Sequence, residues 1–172
     1  PADTVAAMRH LTADTATPRR PEISDAPVAA LVPAAVREVL SVAETWLGWN
    51  DAPVYADGNV WTPHKALRRA TDHLVDHLAE IECRLNDVPT VPDGWHGRKL
   101  TLDSDWARFT EADLDEATSR LTRLAAWYEA RLSTLDSARL DHRPDADTWT
   151  IREVVCHVAG ITYYADQLGR LA

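Results

Sequence analysis

Apolar residues recur every three to four positions in four stretches of the chain, and polar or proline-containing segments separate those stretches. The first reads Val36, Val39, Leu40, Ala43 and Leu47, predicting a helix over 33–48 that opens at Pro33, a favourable first-turn residue. The second reads Ala66, Ala70, Leu74, Leu78, Ile81 and Leu85, with Thr62 as its cap and Pro63 pre-set for its first turn. It ends before segment 87–97, whose Pro89, Pro92, Gly94 and Gly97 are loop residues. The third opens near Thr110, with Asp113 as capping-box partner, and reads Leu114, Ala117, Leu121, Leu124, Tyr128, Leu132 and Leu135. The fourth follows segment 145–149 and opens on Thr150 and Glu153, a better capping box, before Ile151, Val154, Val158, Ile161, Ala165 and Leu168. No segment of period two competes with these four, so the pattern predicts an all-α fold.

Trp61-Thr62 opens the second helix and Trp149-Thr150 opens the fourth, a faint repeat implying two helix-loop-helix halves and an up-down four-helix bundle over 31–172. Residues 1–30 hold few large apolar residues and scatter Pro18, Pro21 and Pro27, which predicts a loosely ordered lead-in with at most a short helix over 5–10.

Composition narrows the class. With 172 residues, 45% of them apolar, the chain is the size of one domain and can bury a core. A net charge of −9 argues against a nucleic-acid partner, which would require Lys and Arg gathered on one face. The longest apolar stretch, 26–36, is interrupted by Pro27 and Pro33 and is too short to span a bilayer, and no signal-peptide core is visible. A cytoplasmic protein without membrane partners is therefore expected, as a monomer or homodimer. Cys83 and Cys156 are the only cysteines and form no CxxC pattern, so a metal would have to be held by His and carboxylate. Arginine outnumbers lysine, with Lys65 and Lys99 the only lysines, a bias typical of GC-rich genomes.

The histidines carry the candidate chemistry. His73 and His77, four positions apart, lie on one helical face with Cβ atoms about 5–6 Å apart. That face also holds Ala70, Leu74, Ile81 and Leu85, and on the fourth helix His157 falls beside Val154, Val158 and Ile161. Two readings stand at this point. Each histidine is a boundary residue satisfied by a neighbouring carboxylate such as Asp72, Asp76 or Glu80, or the three imidazoles share a metal in the manner of bundle sites built from facing helices. His10, His64, His96 and His142 lie in the lead-in, in loops or in a polar first turn and are expected to be solvated. Cys156 adjoins His157 but points about 100° away around the helix, so it is not expected to be a ligand.

With these residues in place, the segments WTPHKALRRATDHLVDHLAEI (61–81) and WTIREVVCHVAG (149–160) resemble the DinB/YfiT-like superfamily of helical-bundle metalloproteins. The resemblance implies that His73, His77 and His157 bind a divalent metal, zinc by preference, with nickel or iron as alternatives. The order departs from many members, in which the single histidine precedes the pair, so pocket residues are not transferred.

Three neutral nitrogen ligands leave a coordination position open, as in catalytic rather than structural zinc sites. Similar proteins are thiol S-transferases or thiol-dependent isomerases using mycothiol, bacillithiol or glutathione. The expected activity is therefore addition of a low-molecular-weight thiol, mycothiol favoured by the arginine bias, to an electrophilic small molecule. Alternatives are a non-catalytic metal-binding or stress-response protein and a metal-dependent hydrolase. Glu80 is a candidate base or a carboxylate orienting an imidazole, against a plain solvated Glu. Arg69 is a candidate contact for an anionic thiol cofactor, against a surface residue. Trp46, Trp49, Tyr163 and Tyr164 are candidate pocket walls, against ordinary packing.

Overall fold

A computed structural model describes residues 20–91 and 99–171. The proposed helix over 5–10, His10 and His96 lie outside these residues. The described chain is mostly helical, with one small antiparallel hairpin.

The first helix, α1 (Val28–Ala43), starts five residues earlier than Pro33 predicts and carries that proline internally. An internal proline costs about 3 kcal/mol or more. Burying Val28 and Val32, which extend the stripe of Val36 and Val39 by about two more turns, returns about 1.5–3 kcal/mol per side chain and offsets that cost. Beyond Ala43 the chain tightens into a 3₁₀ turn, Glu44–Gly48. Trp46, seven residues beyond Val39 and so on the same face, points inward: it is fully buried and its Nε1 donates to the Gly169 carbonyl at 2.9 Å, while Leu47 is exposed.

The helical class agrees with the all-α expectation, to which the fold adds one hairpin that the pattern did not predict: strands β1 (Val54–Ala56) and β2 (Asn59–Trp61), paired with Val54 opposite Trp61 and Ala56 opposite Asn59. Asp57 and Gly58 link them, both at positive φ (51° and 69°), the geometry of a two-residue Asp-Gly hairpin turn. The strands are too short for an alternating pattern to show, so the turn dipeptide was the only available signal. The hairpin delivers Trp61 to the interior directly before α2 (Pro63–Leu85). Thr62 accepts from the Lys65 amide at 3.2 Å as the cap of α2, and its own hydroxyl donates to the Asp105 carbonyl at 2.7 Å.

The capping box at Thr110 and Asp113 opens α3 (Glu111–Leu132), and Leu121, Ala125, Tyr128 and Leu132 form its buried face. Leu135 lies past the helix end. A one-turn helix that the pattern did not predict, α4 (Ser137–Leu140), follows with Asp136 as its cap. The predicted fourth helix is divided into α5 (Ile151–Val158), a 3₁₀ turn (Ala159–Ile161) containing Gly160, and α6 (Thr162–Asp166). Its stripe nevertheless stays on one side, with Ile151, Val154, Val158, Ile161 and Ala165 all buried.

One core unites these elements: α1 packs on α3 and on the α5–α6 segment, and α2 packs on α3, α5 and α6. The buried Tyr128 hydroxyl donates to the Leu74 carbonyl at 2.8 Å, tying α3 to α2 next to His73. Among the described residues no helix is long and apolar enough to cross a membrane.

The start of α5 is held electrostatically. Glu153 accepts from the Thr150 amide at 2.7 Å and from Arg143 at 2.9 Å. Burial works to raise its carboxyl pKa, but the Arg143 and Thr150 hydrogen bonds outweigh burial and hold it below the ordinary glutamate range. A depressed folded-state pKa means stabilisation that is complete above the unfolded value, about pH 4.3, and lost as pH falls through the lower folded value. Glu153→Gln is therefore expected to melt below the wild type at pH 7, with the gap closing toward pH 3. A gap that stays constant from pH 7 to 3 in thermal denaturation would show that the ionised carboxylate is not the stabilising species.

Candidate metal centre

The buried stripe of α2 runs through Ala70, Leu74, Leu78 and Ile81, and His73 and His77 sit one position off it. At about 100° per residue this places their rings at the edge of the apolar face, half-buried rather than in its centre. His157 has the same relation to Val158 on α5 and is also half-buried. Packing α5 on α2 then brings the three edges together.

The ring centroids of His73 and His77 are 4.6 Å apart, those of His73 and His157 4.8 Å, and those of His77 and His157 5.1 Å. One nitrogen from each ring can be chosen so that all three lie within 4.8 Å of one another, the only such group of three or more potential metal ligands among the described residues. A point therefore exists no farther than about 2.8 Å from every donor (4.8 Å divided by √3), against zinc–nitrogen bonds of about 2.0–2.1 Å. Side-chain rotations of less than 1 Å close that difference. Three neutral nitrogen donors from two helices thus fit a borderline divalent cation.

The surroundings fix the rings. His77 Nδ1 lies 2.7 Å from Glu80 Oε2; an ionised carboxylate only accepts, so Nδ1 is the donor, and in the neutral ring that tautomer leaves the lone pair on Nε2. Burial opposes ionisation of Glu80, but the hydrogen bond and charge of His77, together with Arg84, hold its carboxyl below the ordinary range. Glu80 thereby occupies the position of a residue that orients a ligand. The Trp149 indole stands edge-on to His157 at 5.1 Å, and Tyr164 stands edge-on to His73 at 5.9 Å. Trp61 packs on Tyr164 with ring centroids 6.0 Å apart.

Arg69 is a correction to the surface reading. It is only 4% exposed, with its guanidinium 5.5 Å over the Tyr164 ring and its Nη1 3.4 Å from Asp72 Oδ2. The same carboxylate oxygen is shared with Arg68, which also pairs with Asp105 at 2.7 Å. Burial raises the Asp72 carboxyl despite both arginines. Lys65 completes this band of charge beside the site. It is fully buried, donates to Thr101 at 3.1 Å, and burial lowers its pKa. The helix pattern could not anticipate this burial, because it comes from segment 99–106 folding over α2.

The remaining candidates divide. Trp46 is core packing against Phe109, Trp49 donates to the Ala52 carbonyl, and Tyr163 is exposed and donates to Asp57. Of the four aromatic candidates only Tyr164 reaches a histidine. Cys156 stays outside the ligand group. His142 is exposed, but His64 is half-buried, its ring 5.4 Å from Phe109 and its Nε2 3.8 Å from Asp113, because the start of α3 lies over the first turn of α2. The pattern missed Trp149 and Arg84 as site residues. For Trp149 a signal existed, since the residue before a helix cap commonly folds back onto the helix it opens.

The chain matches no family model, no curated protein and no solved structure.

Proposed function

We propose that the chain holds one divalent metal ion through His73, His77 and His157 and is a metal-dependent transferase that adds a low-molecular-weight thiol to an electrophilic small molecule. The observation that carries this reading is the convergence of three imidazole donors from α2 and α5 within 4.8 Å. A divalent cation held by His73, His77 and His157 would lower the pKa of a bound thiol and so supply a thiolate nucleophile at neutral pH.

The chain's own residues then have distinct tasks. The three imidazoles, half-buried at the rim of the core, each offer one nitrogen within 4.8 Å of the other two. Glu80 holds the His77 proton on Nδ1. Tyr164 and Trp149 wall the site. Arg69, beside Tyr164, supplies a fixed positive charge suited to an anionic group on the thiol or the electrophile. Neither cysteine belongs to the donor group, so the sulfur nucleophile comes from a cosubstrate, mycothiol by preference.

On this reading α1, α2, α3 and the α5–α6 segment are the four helices of a DinB/YfiT-like bundle acting in the cytoplasm. The test is a rate measurement with zinc-loaded protein, a small thiol and a chromogenic electrophile. Thiol-dependent turnover that drops at least about 100-fold in His157→Ala is expected, the scale of a loss of transition-state stabilisation near 2.7 kcal/mol. Turnover that persists without thiol would replace this reading with metal-dependent hydrolysis, and absence of any turnover with metal retained would leave a binding protein.

A further inference from the structure

We propose that Arg84 is a positioning residue that keeps the two halves of the histidine triad in register, an inference that rests on the metal reading above. Arg84 lies at the end of α2 and its side chain is only 12% exposed. One arm of its guanidinium, Nη1, donates to Glu80 Oε1 at 3.2 Å, and the other oxygen of that carboxylate holds His77 Nδ1 at 2.7 Å. The other arm, Nη2, donates to the backbone carbonyl of Trp149. Trp149 is the residue before the Thr150 cap of α5, and its indole packs edge-on against His157 at 5.1 Å. One planar fork therefore grips the supports of a ligand on α2 and of the ligand on α5. A rigid two-armed donor suits this task, whereas a lysine ammonium is a point charge on a flexible stem.

The sign of the effect separates positioning from simple electrostatics. Arg84 is a cation near a site that takes a cation, so if charge were its whole influence, removing it would tighten metal binding. If it positions the ligands, removing it weakens binding by about 10–100-fold, the usual cost of losing a residue that orients metal ligands.

The experiment uses Co²⁺ alone as the probe, titrated against a chelator into wild-type protein, Arg84→Ala, Arg84→Lys and His157→Ala, with the visible Co²⁺ absorption recorded for each. Expected are a 10–100-fold weaker Arg84→Ala with altered absorption, and an Arg84→Lys that fails to restore either. Arg84→Lys keeps the stem and charge and serves where truncation unfolds the chain. Arg84 lines a cavity of about 640 Å³, with Leu85 and Ile151 among its walls. Added guanidinium, compared with equal NaCl, is therefore expected to recover binding in Arg84→Ala. Affinity and absorption equal to wild type in both Arg84 variants, or tighter binding in Arg84→Ala, overturns the positioning role while leaving the metal reading intact through the His157→Ala control. Wild type that binds no Co²⁺ overturns both.

Discussion

A His73→Ala, His77→Ala double variant is expected to purify with essentially none of the metal, roughly one equivalent, that the wild type carries. The reason is geometric. Two of the three donors lie on one face of α2, and without them a lone imidazole on α5 faces the cation, as good as any exposed histidine. Structural zinc in zinc-finger peptides, held by four ligands, binds with apparent free energies of about 10–16 kcal/mol, and little affinity of any such multidentate kind survives with one ligand. The single His157→Ala variant leaves the α2 pair, so weak residual binding is expected, at least about 100-fold weaker than wild type and thus a greater loss than removal of an orienting residue. Both rings are half-buried at the rim of the core, so the variants should remain folded, which thermal denaturation would check. Elemental analysis after dialysis decides the matter: equal metal in wild type and double variant would place the ion elsewhere and remove the basis of the proposed chemistry.

Trp46→Ala is expected to be the most damaging single substitution for stability. Trp46 is fully buried, packs edge-on against Phe109 at 6.3 Å, and donates to the Gly169 carbonyl near the end of the described chain. Truncating a buried tryptophan costs about 3–5 kcal/mol, of the order of a third of the stability of an ordinary domain. For a chain of this length that corresponds to a fall in melting temperature of about 10 °C. Trp46→Phe keeps most of the ring packing and loses the donor, so a penalty of about 1–2 kcal/mol is expected. Urea denaturation measures both. A loss below about 1 kcal/mol for Trp46→Ala would mean that the 3₁₀ turn after α1 repacks around the void and does not depend on this anchor.

These two sites show unequal legibility. The His73 and His77 pair could be read directly, because a spacing of four residues on a helix leaves their relative position almost no freedom. Trp46 is not singled out as core, because the apolar residues of α1 support two overlapping stripes, one through Leu40 and Leu47 and one through Val32, Val39 and Trp46, and only packing against the other helices selects the second. Arg69 shows the same limit from the polar side. One turn before His73, it looks like a solvated arginine until Tyr164 of α6 covers it. The hairpin was hidden because three-residue strands are too short to show a period, leaving only Asp57-Gly58 to mark it.

What the order of residues determined unaided was local. The Thr62, Thr110 and Thr150 caps, the apolar stripes of the long helices and the shared face of the α2 histidines all follow from contacts within three or four positions, where backbone geometry alone sets distance. The tertiary structure decided that His157 meets that pair, that Trp149 braces it, and that Arg84 reaches from α2 to the entrance of α5. How far each helix is rotated about its own axis depends on all the stripes filling one core together. A single stripe specifies which side is buried, but the edge that faces a given neighbour is settled only when the other helices are packed against it.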